Sequence, residues 1–397
     1  MCPLKKAFEK SGIILDNLVL GPAFIHPASV LPKPMRWTVF FLFLTLIRME
    51  AAPSDAAAEW LAKTPLAPPM TVPKSAADWP KQREDIRRSL TELLGDLPPR
   101  PPLSAFQVLA RDDKGSYFLE IIQFDNGAGE QVKGYLLLPK TASPQHKTPA
   151  VLYCHWHGGH YTSGKDELFQ TNATPIPAGE ALVREGYAVL AIDAPCFGER
   201  NGKGPDGPAQ LGSAGEMSAA KFQLWAGRTL WGMMVRDDLT ALDYLCSRPE
   251  VDAERIAVTG ISMGSTRSWW VMAMDERPKA AVCVGCMTRY EELIREGMLK
   301  AHGIYYFVPG MLKRFDTEAV IALGAPRPML FMTGDQDGGS PVAGVRRIGE
   351  VVGNVYRLLG ADSARFENVV YPDVGHVYLP EMWDKTVEWL NRWVKAR

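Results

Sequence analysis

The chain lacks an apolar run of the roughly 18–20 residues that a membrane-spanning helix needs. It also lacks an excess of either charge. Its 397 residues carry 44 Lys and Arg against 45 Asp and Glu, a formal net charge of -1. Nucleic-acid binding through phosphate contacts rests on a basic excess or stripe, so that class has no support here. Internal repeats are absent, which excludes solenoids and propellers. The 35 glycines and 31 prolines follow no G-X-Y period, which excludes collagen. What remains is an ordinary globular composition, 46% hydrophobic and 22% charged.

One shorter apolar run stands out. Trp37 to Ile47 carries no charge, follows Arg36, and leads to Ala51, Ala52, Pro53 and Ser54. A basic start, a short apolar core and small residues are the layout of a secretory signal. Residues 1–52 are therefore expected to be a leader, with translation starting at Met35 and the product exported to the periplasm or beyond. The leader is basic, so the chain after it is mildly acidic. The competing reading of 37–47 is a buried core segment. Cys283 and Cys286 read C-x-x-C inside an apolar strand-like run, which fits buried thiols better than a redox or zinc site.

Residues 53–103 are Ala- and Pro-rich and hold one helical pattern. Ile86, Leu90, Leu93 and Leu94 share a face that Gly95 and Pro98 close. This segment reads as an N-terminal helical extension, and residues 104–397 as the catalytic domain. Strands are expected at Phe106–Ala110, Tyr117–Phe124 and Val132–Pro139, partly antiparallel. Short, continuously apolar strands follow at Ala150–Cys154, Tyr187–Ile192, Ile256–Ile261, Ala280–Val284 and Met329–Met332. A last strand falls at Val369–Tyr371. Helical stretches at Gly179–Glu185, 218–247, Met263–Met274, Val342–Leu359 and Pro380–Lys395 alternate with them. That alternation predicts an α/β fold with a mostly parallel, doubly wound sheet. Two stretches interrupt it, a Gly- and Pro-rich loop at Asn201–Glu216 and an aromatic insertion at Met287–Thr317. Both are candidates for lid-like covers over the ends of the strands.

Gly260-Ile261-Ser262-Met263-Gly264 is a G-x-S-x-G between an apolar strand and a helix. Such a turn has room only for glycines around the serine, and it lifts the hydroxyl above the sheet. A serine nucleophile needs a base, and the base needs an orienting carboxylate. Asp335 and Asp337 compete for that second role after the strand at 329–332; Asp337, at the tip of the turn, is favoured. His376, after the last strand, is placed as the base. Asp373 reads as a turn residue. The developing oxyanion needs fixed N–H donors. Met263, just past the nucleophile, supplies one, and Gly159 in the loop His155-Trp156-His157-Gly158-Gly159-His160 is the candidate for the other. His157, Trp156, Tyr305 and Tyr306 are the candidate pocket residues. The same loop carries a rival reading, in which His155, His157 and His160 bind zinc in a metal-dependent hydrolase. A non-catalytic binding protein on the same scaffold is a third class.

The segments His157-Gly158-Gly159, Asp193 to Arg200, Gly260 to Gly264, Ala325 to Pro328, Gly334 to Pro341 and Gly375-His376 together resemble the α/β-hydrolase superfamily. The resemblance covers about residues 75–397 and is strongest to acetyl-xylan-esterase-like and dienelactone-hydrolase-like families. It implies an α/β-hydrolase fold, Ser262 as nucleophile, Asp337 as acid and His376 as base. It implies small-molecule or carbohydrate ester substrates, acetyl esters of sugars among them, and no cofactor or metal. Dienelactone hydrolases proper use cysteine at the nucleophile position, so the serine places this chain with the esterases. Peptidase-like serine hydrolases are similar too, but they carry a propeller that this chain lacks.

Overall fold

The computed structural model describes residues 55–64 and 66–396. The expected leader lies outside them. In chain order the elements are α1 (Asp55–Lys63), α2 (Trp79–Leu94), β1 (Phe106–Asp113), β2 (Tyr117–Asp125), β3 (Gln131–Pro139) and β4 (Thr148–Tyr153). Then come α3 (Ala178–Arg184), β5 (Ala188–Ile192), α4 (Gly212–Trp225), α5 (Leu230–Ser247), β6 (Val251–Ile261), α6 (Met263–Met274) and β7 (Ala280–Val284). The chain continues with α7 (Tyr290–Arg295), α8 (Thr317–Ala322), β8 (Met329–Gly334), α9 (Val342–Leu358), β9 (Phe366–Tyr371) and α10 (Pro380–Leu390).

The strands form one sheet in the order β1-β2-β3-β5-β4-β6-β7-β8-β9. Pairing is antiparallel from β1 through β3 to β5, and parallel across the rest. The continuous apolar strands are buried on both faces. Val151, Val189, Ala257, Val282 and Leu330 join one apolar cluster, with Leu182 of α3 and Met382 and Trp389 of α10. Their neighbours Leu152, Leu190, Val258, Cys283 and Phe331 join the other, with Leu242, Trp269, Val320 and Val345 of α5, α6, α8 and α9. Successive strand residues point to opposite faces, so both faces must be apolar. Helix α2 buries Trp79, Ile86, Leu90 and Leu94 in this second cluster, on the face that the helical spacing predicts.

Two expectations need correction. The single helix expected over 218–247 is two. The break falls at Gly227, whose φ of +75° interrupts the helix, and Thr229 then caps α5 by accepting the Gly232 amide at 2.9 Å. The stretch Asn201–Glu216 is not loop throughout, because α4 starts at Gly212 and Glu216 on it is 2% exposed. Gly- and Ser-rich composition hides this helix start. β5 and β6 flank β4 on opposite sides, so the sheet changes winding direction there. The C-terminal ends of β4 and β6 therefore border a crevice, the place where open α/β sheets bind ligands.

Candidate functional site

Ser262 sits between β6 and α6 with φ 60 and ψ -122, a conformation that side chains rarely adopt. The turn is tight because β6 and α6 press on β4. A Cβ at Gly260 or at Gly264 would run into the carbonyl of Cys154. The Ser262 amide donates to Val284 O at 2.8 Å, and Ser265 Oγ donates to Gly285 O at 2.6 Å, tying the turn to the end of β7. Met263 opens α6, so its amide is a first-turn donor without a partner four residues back.

The loop after β8 presents Asp337, which is buried. Its Oδ2 lies 2.7 Å from His376 Nδ1, and its Oδ1 accepts the Gly339 amide at 2.9 Å. Asp335 instead accepts the amide of Asp373 at 2.8 Å and so serves the loop backbone. Burial lowers the affinity of the His376 imidazole for a proton. The hydrogen bond and charge of Asp337 outweigh it and hold the pKa above the ordinary 6.5. Gly285 is required beneath this pair, because at φ +66 a Cβ would stand 3.0 Å from His376 Cε1.

Ser262, Asp337 and His376 line one cavity of about 570 Å³. No hydrogen bond joins Ser262 to His376 in this structure. The polar contact on Ser262 Oγ comes from Cys286 Sγ at 3.9 Å. Cys286 is a buried free thiol, its pKa pushed up to about 12, chiefly by burial. Cys283, the other half of the C-x-x-C, is buried within β7 and also free.

The loop after β4 forms another wall, and its histidines diverge. His155 is fully buried, with Nε2 accepting the Ala194 amide at 3.0 Å and Nδ1 2.8 Å from Trp156 O. His157 Nε2 meets Glu216 Oε2 at 3.0 Å, while its Nδ1 accepts the Gly159 amide at 3.0 Å. His160 stacks on Trp156 with ring centroids 5.2 Å apart. The three rings have separate partners, and no group of three or more metal-capable side chains occurs among the described residues. His155, His157 and His160 therefore do not converge as a zinc site requires.

The same contacts engage the Gly159 amide within its own loop. Gly158 and Gly159 adopt φ of +50 and +74, which folds the loop back on itself and turns the Gly159 amide to His157 Nδ1. Of the expected pocket residues, His157 and Tyr305 line the cavity, and their rings stack at 5.0 Å. Trp156 and Tyr306 do not line it. The Trp156 amide donates to Glu167 Oε2 at 2.8 Å, and Tyr306 is buried behind His302, stacked at 4.2 Å.

Several residues escaped the sequence reading. Glu216 bonds His157 and accepts from the Tyr161 hydroxyl at 3.2 Å. Glu167, buried beneath the loop, also accepts from Tyr153 at 2.6 Å. Burial outweighs these hydrogen bonds and raises its pKa to about 7. His302 Nε2 lies 2.8 Å from Gly339 O and so grips the Asp337 loop. Lone glutamates and a seventh-part histidine signal carry no motif, and only the aromatic insertion around His302 pointed this way.

A model of the Abhydrolase family matches residues 65–367. The Bacillus subtilis protein named "Putative hydrolase YtaP" is 36% identical over 315 residues, 79% of this chain and 100% of that protein. A "putative acetyl xylan esterase" from Bacteroides fragilis has a crystal structure similar to this one at TM-score 0.65. The two share 18% identity over 86% of this chain and 92% of that one. A glucuronoyl esterase from Solibacter usitatus matches at TM-score 0.60 and 19% identity, over 82% of this chain and 98% of that one. At such identities the two structures speak for the fold.

Proposed function

The chain belongs to the Abhydrolase family, and on that premise we propose that it is a serine hydrolase of carboxylic esters, acetyl esters of carbohydrates among them. One observation carries the reading. The Asp337–His376 pair, 2.7 Å apart, opens onto the same cavity as a serine held at φ 60.

Ser262 Oγ attacks the ester carbonyl as His376 Nε2 takes its proton. The Ser262–His376 hydrogen bond tightens once substrate is bound, as apo geometries often require. Asp337 keeps the Nδ1 proton in place, so that Nε2 is the free base, and it stabilises the imidazolium that forms. The Met263 amide donates to the tetrahedral oxyanion. The second donor belongs to the same loop as Gly159 and precedes it, at His157 or Gly158, whose amides hold no hydrogen bond among the described residues. His376 then protonates the leaving alcohol and activates the water that releases the acid. None of these steps calls for a cofactor.

Tyr305 and the glycines 158, 159, 303, 338 and 339 leave the wall open beside hydroxyl, imidazole and amide groups, which supports a sugar ester over a long acyl chain. The neighbouring folds named for acetyl xylan and glucuronoyl esters support this choice. The leader-like residues 1–52 support export. No helix among the described residues is long and apolar enough to cross a membrane. Hydrolysis of a panel of acetylated sugars and short nitrophenyl esters tests the function. Acetylated sugars should be turned over, and inertness toward every ester in the panel would refute it.

A further inference from the structure

We infer that the cavity takes an ester bearing a carboxylate and that Lys300 recognises this charge; the inference rests on the ester-hydrolase reading above. Two side chains of permanent charge line the cavity, Lys300 and Asp337. Asp337 is committed, with one oxygen on His376 and the other on the Gly339 amide. Glu216 touches the wall residue His157, but it is 2% exposed, and His157 and Tyr161 share its Oε2. Neither carboxylate offers a negative face to a ligand.

Lys300 differs from both. It lies on the short turn Leu299–Ala301 of the aromatic insertion, it is exposed, and it makes no ion pair or hydrogen bond among the described residues. The remaining polar wall consists of His157, His302, His376, Gln336 and Tyr305. An imidazole is neutral or positive, so these groups add no negative charge. A ligand entering the cavity therefore meets an exposed cation with no direct partner, while the one lining carboxylate, Asp337, is buried and already engaged by His376 and the Gly339 amide. A plain acetyl ester leaves that cation unused. A carboxylate on the acyl or the alcohol part, as in a dicarboxylic half-ester or an acylated uronic acid, satisfies it.

The test uses two matched pairs, each an anionic ester and its neutral counterpart. The acyl-side pair is the 4-nitrophenyl half-ester of succinate and its methyl-capped form. The alcohol-side pair is acetylated glucuronic acid and acetylated glucose. The readout is the ratio of kcat/KM, anionic over neutral, in the wild type, Lys300→Gln and Lys300→Glu. In at least one pair the ratio should fall about fivefold in Lys300→Gln, the scale of one partly exposed ion pair. It should fall further in Lys300→Glu, and the wild-type ratio should shrink as salt rises from low to half-molar. The pair that responds identifies the side of the ester that Lys300 reads. Ratios unmoved by either substitution in an active enzyme overturn this inference alone. Absence of turnover in all four esters, together with no labelling of Ser262 by a fluorophosphonate, overturns the ester-hydrolase reading and this inference with it.

Discussion

Ser262, Asp337 and His376 lie far apart in the sequence and meet only through the sheet. The Ser262 backbone at φ 60 is strained by roughly 1–3 kcal/mol, and the packing of Gly260 and Gly264 against Cys154 maintains it. Ser262→Ala should lower kcat by at least about a thousandfold while leaving the melting temperature nearly unchanged. Asp337→Asn should cost about as much, because the imidazole loses its useful tautomer. The pH dependence follows from His376, which must be neutral to accept the serine proton. Its pKa is raised, so kcat/KM should fall with acid through a midpoint above 6.5, and a residual-activity profile of Asp337→Asn should place that midpoint lower. Stability runs the other way. The charged pair stabilises the fold below the unfolded pKa, and the contribution is lost as pH rises through the folded value. The effect is reduced because the His376 side chain is 34% exposed. These three candidates are marked in the sequence by their places after strands of the sheet, and the structure brings Asp337 to His376. Asp337 and Asp335 could be ranked only by turn position, and the hydrogen bonds to His376 and Asp373 now separate them.

The loop after β4 is where sequence reasoning was least complete. Its histidines suggested metal and its glycines suggested a donor at Gly159. Neither reading could foresee that Glu216, nearly sixty residues on, would engage His157, because such a partner leaves no local pattern. With Nδ1 accepting from Gly159 and Nε2 facing Glu216, the His157 ring is a staple between this loop and α4. Glu167 secures the loop from beneath through the Trp156 amide. Glu216→Gln should lower kcat about tenfold with KM little changed, since it displaces donors that act on the transition state. Equal losses in kcat and thermal stability, reversed together by a stabilising background, would mark Glu216 as a fold residue only. On the opposite wall, Gly285→Ala should impair turnover by pushing on His376 and forcing a side chain into φ +66. A steady-state comparison with the wild type checks both variants.

On the scale of the molecule, the alternation of buried strands and amphipathic helices was enough to predict the doubly wound sheet. The apolar runs face two cores at once, and no other placement buries them. What the pattern could not supply was the break at Gly227 or the helix start inside the Gly-rich stretch 201–216, where local composition argues for loop and tertiary burial of Glu216 prevails. Helix α2 lies outside the strand–helix alternation yet shares the larger core. Leu90→Ala, at 0% exposure, should destabilise the protein by about 2–5 kcal/mol in equilibrium denaturation. A change below about 1 kcal/mol would show that α2 is a dispensable addition to the hydrolase domain. All the proposed chemistry depends on one placement, that of Ser262 at the switch of the sheet beside a His376 base. Labelling the folded protein with a fluorophosphonate and mapping the adduct by peptide mass spectrometry tests it most directly. The expected adduct is on Ser262, lost in Ser262→Ala and strongly slowed in His376→Asn. An unlabelled Ser262 in a folded protein that still hydrolyses esters would contradict it.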